Sequence, residues 1–401
     1  MSVWITGLGV VAPNGLGVDD YWSAALKSEH GISRITRFDP SAYPAVLAGQ
    51  VLDFDPAEHL PPRLLPQTDV STRFALAGAA WALADAAVDP ADVPEYDMGV
   101  ITSNATGGFE FTHREFQKLW AKGPEYVSVY ESFAWFYAVN TGQISIRHGM
   151  RGPGRVLVAE QAGGLDAIGQ ARRTVQDGTP LVVTGGVDSS LDPWGWVSHL
   201  SSGRISRCTD PTRAYRPFAA DAAGYVPGEG GALLVVEDSG TSRCAKPYGE
   251  IAGYAATFDP KPGSGRPPAL RRAAELALAD AGIRPGEVDV VFADAAGVAD
   301  LDAVEAAAIR DLFGPGGVAV TAPKTLTGRL YSGGGPLDVA TALLSIRHDV
   351  IPPTAHTTAA EHYEIDLVTG SPRYRPIGTA LVLARGKWGF NSALVVRGAA
   401  G

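Results

Sequence analysis

Cysteine is nearly absent, with Cys208 and Cys244 the only two in 401 residues. That excludes a disulfide framework or a multi-cysteine metal site, and a reducing compartment fits. Positive charge is also in deficit: 33 Lys and Arg face 43 Asp and Glu, a net charge of -10 spread along the chain. Such a balance opposes a phosphate-binding surface, so nucleic acid is not an expected partner. An acidic carrier protein would need a local basic patch. Arg204, Arg207, Arg213 and Arg216 offer one, unless they pair with Asp210 and Asp221. No apolar run reaches the length of a membrane span, and Met1 to Gly7 lacks the features of a signal peptide. The expectation is a cytoplasmic chain with no membrane partner. Hydrophobic residues make up 45% and charged ones 19%, the composition of a folded globule long enough for several domains or one duplicated body.

Self-similarity favours duplication. Ala82-Leu83-Ala84-Asp85-Ala86 returns as Ala277-Leu278-Ala279-Asp280-Ala281, each near the end of an Ala-rich helix pattern. A Pro-containing turn and a strand follow each copy, over Met98–Thr102 and Val288–Phe292. Gly163-Gly164-Leu165-Asp166-Ala167 and Gly334-Gly335-Pro336-Leu337-Asp338 then open helices at corresponding places. Short apolar runs at Arg155–Ala159, Pro180–Thr184, Ala232–Val236 and Thr379–Ala384 alternate with helix-length segments. That rhythm predicts an α/β protein with helix-covered sheets, in halves of roughly 1–245 and 246–401.

Val156 to Gly169 reads as a strand, a tight turn and a helix beginning among glycines. Such an elbow presents one side chain to helix N-terminal N–H groups, a setting that suits a nucleophile. The side chain here is Gln161. Around this elbow the sequence is similar to the ketosynthases of type II polyketide synthases, and in detail to their ketosynthase-like partner subunit, the chain length factor. The likeness covers essentially the whole chain. It includes Gly185-Gly186-Val187-Asp188, the segment Arg216 to Gly230, and Ile351-Pro352-Pro353-Thr354. It implies a thiolase-like fold, with duplicated βαβαβ halves forming a five-layered α-β-α-β-α body.

Active condensing enzymes of that family use one cysteine and two histidines. Aligning Asp302 and Glu305 with the family's Asn-Asp-x-x-Glu puts Asp294 at the first histidine, while Lys324 matches the lysine before the second. The following Gly-His step is Gly328-Arg329. Gln161, Asp294 and Arg329 thus replace the catalytic set, which rules out condensation by this chain alone. Asp294 and Arg329 are open to two readings, a structural ion pair or a direct chemical role, and the ion pair is favoured. Lys324 is read the same way. Gln161 could still donate to a malonyl thioester oxygen and support decarboxylation. Trp388, in Gly386-Lys387-Trp388-Gly389-Phe390, puts a large ring where the family's glycine leaves substrate space. His113, His199 and His348 are scattered and offer no replacement base, and Cys208 lies outside any elbow.

Phe109, Thr112, Phe116 and Trp120 fall on one helical face. By spacing alone such a stripe reads as core packing. The resemblance implies instead that Phe109, Thr112 and Phe116 line the tunnel into which a polyketide grows, closing it near about sixteen carbons, an octaketide, over a helix of comparable length. It further implies a heterodimer with an active ketosynthase, and substrate carried on the phosphopantetheine arm of an acyl carrier protein that docks mainly on the partner. No metal or other cofactor is expected. Two alternatives stand beside this: a malonyl-carrier decarboxylase using Gln161, and a purely structural, solubilising partner.

Overall fold

The computed structural model describes residues 2–240 and 246–399, so Cys244 and the boundary expected after residue 245 lie outside it. Ten strands carry the architecture. The first five are β1 (Val3–Ala12), β2 (Met98–Ser103), β3 (Gly154–Leu157), β4 (Leu181–Asp188) and β5 (Gly230–Asp238). The second five are β6 (Gly249–Phe258), β7 (Val290–Phe292), β8 (Ala319–Thr321), β9 (Thr379–Arg385) and β10 (Phe390–Arg397). Their spatial orders are β3-β2-β4-β5-β1 and β8-β7-β9-β10-β6, the same permutation twice. Directions repeat too: the first three strands of each order are parallel and the last two pairings antiparallel. A short pairing of β1 with β6 joins the halves, and Asp366–Leu367 extends the second half beyond β8. The duplication expected from the sequence is therefore present in the topology.

Six helices complete the layers: α1 (Val70–Asp85), α2 (Phe109–Lys122), α3 (Gly163–Gln176), α4 (Leu270–Ala281), α5 (Ala299–Phe313) and α6 (Gly334–His348). Helices α3 and α6 pack between the two halves of the sheet, α1 covers the first half and α4 the second, with α5 beside α4. Alternate residues of one strand feed different cores, as the two-residue side-chain period requires. Leu233 and Val235 of β5 join the core under α1, whereas Leu234 and Val236 join the central one. In β9, Leu381 and Leu383 face the α4 side while Ala380 and Val382 face the centre.

The repeated Ala-Leu-Ala-Asp-Ala motif has a packing cause. A Cβ on Gly7 of β1 would stand 2.1 Å from the Ala82 carbonyl oxygen, and one on Gly253 of β6 would stand 2.2 Å from that of Ala277. Each helix therefore lies directly on strand backbone, which requires a small residue at the point of contact, Ala82 in one half and Ala277 in the other. Next to each glycine the strand bulges, at Thr6 and at Ala252, and a bulge leaves a backbone N–H out of register. The motif's aspartate accepts from the residue after the glycine in both halves: Asp85 Oδ2 from Leu8 N at 2.8 Å, and Asp280 Oδ2 from Tyr254 N at 2.9 Å.

Among the strand limits that differ from expectation, two bear on the elbow and its surroundings. β3 stops at Leu157 because the chain already turns into the elbow. β4 continues to Asp188 through Gly185 and Gly186, where a Cβ on Gly186 would meet the Ser332 carbonyl oxygen at 2.8 Å. No helix among the described residues is long and apolar enough to cross a membrane.

Candidate functional site

The elbow forms as the sequence suggests, and it forms twice. Glu160 (φ 52°) and Tyr331 (φ 54°) adopt the left-handed conformation, each three residues before a central helix, α3 or α6. Such a backbone costs free energy in a non-glycine residue and persists only where its surroundings enforce it. Here the helix starts interlock through glycines: a Cβ on Gly164 would lie 2.2 Å from the Ser332 carbonyl oxygen. Gln161 follows the first turn, 3% exposed, against Gly334 at the start of α6. Its Oε1 has no hydrogen-bond partner among the described residues.

Asp294 follows β7 and meets Arg329 in a bidentate pair, Nη1 to Oδ2 and Nη2 to Oδ1 both at 3.1 Å. Arg329 Nη1 also donates to the Asp294 carbonyl at 3.0 Å, and Asp294 Oδ1 accepts from Arg385 N at 3.0 Å. Burial alone would raise the Asp294 carboxyl, but the charges of Arg329 and Lys324 outweigh it and hold the group below the usual carboxylate range. Burial likewise opposes charge on Arg329, and Asp294 reverses that effect, so the guanidinium stays protonated. A fixed cation and a strongly ionised carboxylate exchange no proton near neutrality, so the pair cannot replace two histidines as acid and base. The ion pair favoured from the sequence is the arrangement present.

Two further carboxylates hold the backbone on which this pair is built. Glu305 accepts from Asp294 N at 2.7 Å and Ala295 N at 2.8 Å. Burial first, then the Asp294 charge, pushes the Glu305 carboxyl up to about 7. Asp302 accepts from Phe218 N and Gly297 N, both at 2.9 Å, and burial raises it to about 6. Lys324 Nζ lies 2.5 Å from Asp338 Oδ2, a buried ion pair beside the first. Asp294, Arg329 and Lys324 of the expected degenerate site are thus held structurally, whereas the Gln161 amide oxygen is not.

A cleft of about 760 Å³ opens above the pair, lined by Glu160, Asp294, Arg329 and Tyr331 at its floor and by Lys387 and Trp388 at its rim. The space-filling role expected of Trp388 needs correction. Its ring is 76% exposed and stands at the rim instead of occupying the interior. The family glycine does leave a backbone trace, since Trp388 has φ 67°, a conformation that favours glycine. The arginine-rich segment divides. Asp221 takes Arg216 at 2.5 Å and Arg213 at 3.8 Å. Asp210 pairs with none of them and instead caps its own short helix through Thr212 N at 2.9 Å; Arg204 joins the cleft wall.

Helix α2 places its stripe away from the core. Phe109, Thr112 and Phe116 line one pocket of about 540 Å³ with Glu131, Trp135, Tyr137 and Trp194. Rings meet across it: Phe109 and Trp194 centroids are 5.4 Å apart, and Phe116 and Trp194 5.6 Å. Trp120 continues the stripe but is largely exposed, and Phe111 is the α2 phenylalanine that enters the buried interior. Sequence reading missed Trp194, which opens the helix Pro193–Leu200 behind an Asp192 cap. Asp-Pro-Trp is a helix-start signal with an aromatic in its first turn, a cue that was available. His113 fastens this helix to α2 through Asp192 Oδ2 at 2.5 Å. His199 is buried between Ser190 Oγ at 2.7 Å and Tyr331 Oη at 2.6 Å, and desolvation lowers its pKa to about 4. Neither histidine lies at the elbow.

Comparison with known proteins follows this geometry. Residues 1–240 match the family described as "Beta-ketoacyl synthase, N-terminal domain", and residues 248–358 its C-terminal domain. A Streptomyces coelicolor protein named for the actinorhodin polyketide as a beta-ketoacyl synthase 2 is 68% identical, over 99% of this chain and 98% of its own. The tetracenomycin polyketide synthase ketoacyl synthase beta subunit of Streptomyces glaucescens is 60% identical, over 98% of each. Among solved structures, the ishigamide ketosynthase/chain length factor superposes with a TM-score of 0.90 at 25% identity, covering 100% of this chain and 99% of that one. A ketosynthase in complex with its type II acyl-carrier protein, bound to a hexaketide, shares the fold at a TM-score of 0.89 and 24% identity, over 99% of each chain. With two family models matched over most of the chain and relatives of 60–68% identity along nearly its whole length, this chain belongs to the beta-ketoacyl synthase family.

Proposed function

We propose that this chain is the non-condensing partner of an active ketosynthase, and that its aromatic pocket limits the length of the polyketide the pair makes. The observation that carries this reading is the convergence of Phe109, Thr112 and Phe116 on one pocket beside Trp194, while the elbow offers an amide in place of a thiol. The α2 helix has 14 residues and spans about 21 Å, a run comparable with an extended chain of about sixteen carbons. Malonyl units arrive on the phosphopantetheine arm of an acyl carrier protein, which docks mainly on the partner.

The pairing surface is supported by β3, the outermost strand of the first half, whose far side has no partner among the described residues. Ile146, Val158, Trp135 and Phe136 are exposed in that part of the chain. An unpaired edge with apolar flanks is what a second ketosynthase-like subunit would cover. The test is exchange: the chain is combined with ketosynthases whose native pairs make other lengths, and products are weighed by mass spectrometry. Product length should follow this chain. Length that follows the ketosynthase would leave only the structural, solubilising role.

One observation favours a second activity, decarboxylation of malonyl carrier protein: Gln161 stands at the elbow against the start of α6, where its amide N–H would donate to a thioester oxygen. Carbon dioxide release by the purified subunit, lost in Gln161→Ala, would establish it; equal release by both proteins would remove it.

A further inference from the structure

The cleft above the Asp294–Arg329 pair is charged against the sign of the whole molecule. Six Lys and Arg side chains line it with three Asp and Glu, an excess of three positive charges in a chain of net charge -10. Burial raises the Glu160 pKa, which weakens the negative side further. The buried cations of the cleft have carboxylates: Arg329 pairs with Asp294, and Arg385 with Asp259 at 3.9 Å. Those at its mouth do not. Arg204, Lys261, Arg266 and Lys387 are exposed, and none of them pairs with a carboxylate among the described residues. Unpaired cations gathered on one concave surface draw anions to it, whatever the net charge of the chain. Beside them stands a ring. Trp388 is largely exposed, on a backbone with φ 67°, and the Lys387 Nζ lies 5.0 Å from its centroid. A torsion of that kind costs free energy and recurs at ligand clamps. An aromatic face open to solvent takes flat groups by stacking.

We propose that this cleft binds a nucleoside diphosphate, its phosphates facing the four unpaired cations and its base on Trp388. The site shares no lining residue with the pocket beside α2 and does not rest on the chain-length reading. Two demands select the ligand. Guanidinium forks and ammonium groups match phosphate oxygens, and a diphosphate brings about three negative charges near neutrality, equal to the excess in the lining. A single carboxylate would leave most of that excess unmatched. The ring asks for a planar group, which inorganic phosphate lacks and a nucleobase supplies. The cleft, at about 760 Å³, has the size of a small-molecule site. Free nucleotides and coenzyme A, which contains an adenosine diphosphate, present the same chemistry to it.

The test is calorimetric titration of the full chain with ADP, adenosine, pyrophosphate and coenzyme A as separate probes. ADP should saturate one site per chain, at least about tenfold more tightly than adenosine or pyrophosphate, because only ADP meets both demands. Trp388→Gly removes the ring and eases the positive φ, so the chain keeps its fold; it should weaken ADP about tenfold and leave pyrophosphate unchanged. Lys261→Glu/Arg266→Glu, on an exposed loop, should weaken ADP and pyrophosphate together, by about tenfold or more. Coenzyme A binding more tightly than ADP would name it as the occupant, and equal or weaker binding would name the free nucleotide. Saturation by neither ADP nor coenzyme A would overturn the proposal. So would ADP binding that both variants leave unchanged, since it would then lie elsewhere on the chain.

Discussion

The vestigial site and the aromatic pocket treat polar groups in opposite ways. Around Asp294 and Arg329 nearly every charge is paired, through bidentate contacts and carboxylates that collect backbone N–H groups. Around Phe116 the walls are mainly rings, Phe109, Trp135, Tyr137 and Trp194, with the Thr112 hydroxyl and the Glu131 carboxyl facing each other among them. The first region has the character of a buried, fully paired polar core. The second is a ring-walled pocket of about 540 Å³ with no ion pair across it among its lining residues.

The largest expected effect breaks the first region. Arg329→Met leaves Asp294 buried without its counter-ion and should cost about 3–5 kcal/mol, read by denaturant unfolding. A loss below about 1 kcal/mol would mean the pair is not the prop described here. On helix α2 the comparison sharpens within a few residues. Phe111, 3% exposed, should cost about 3–5 kcal/mol as Phe111→Ala. Phe116, which faces the pocket, should cost clearly less, and equal losses would return the stripe to ordinary core packing.

A smaller effect is set by pH. Desolvation lowers His199 to about 4 in the folded chain, against about 6.5 unfolded. Below pH 6.5 the unfolded chain binds a proton that the folded chain refuses, so stability falls as pH drops through that window. His199 should account for about 3 kcal/mol of this loss between pH 6.5 and 4, and His199→Gln should flatten the profile by that amount. His148, lowered in the same direction, remains in both proteins, so the difference isolates His199. The smallest expected effect is none: Gln161→Cys alone should not elongate an acyl chain, since Asp294 and Arg329 supply no base. Acyl transfer by that single variant, free of any ketosynthase, would contradict the account of the elbow.

Much of this was legible in the sequence, for physical reasons. The Ala-Leu-Ala-Asp-Ala repeat survives because strand glycines and bulge N–H groups in both halves demand the same small residues and the same carboxylate. The elbow was visible because a strand must end and a helix must start within a few glycine-rich residues. Side-chain direction was not. Trp388 belongs to the cleft's rim through a backbone torsion that no composition reveals, and Asp210 was free to pair with an arginine until its own helix claimed it. Trp194 reaches Phe109 and Phe116 from a distant segment, so the pocket exists only once the chain is folded.

The central claim is tested most directly by the Phe109→Ala/Phe116→Ala chain assembled with its ketosynthase and supplied with malonyl carrier protein, with product mass and complex stability measured on the same sample. The account predicts a folded complex that makes longer products, by about one or two ketide units, because the space the rings vacate receives growing chain and is not left as a dry cavity. A soluble, active complex that still makes only the parental length would contradict it.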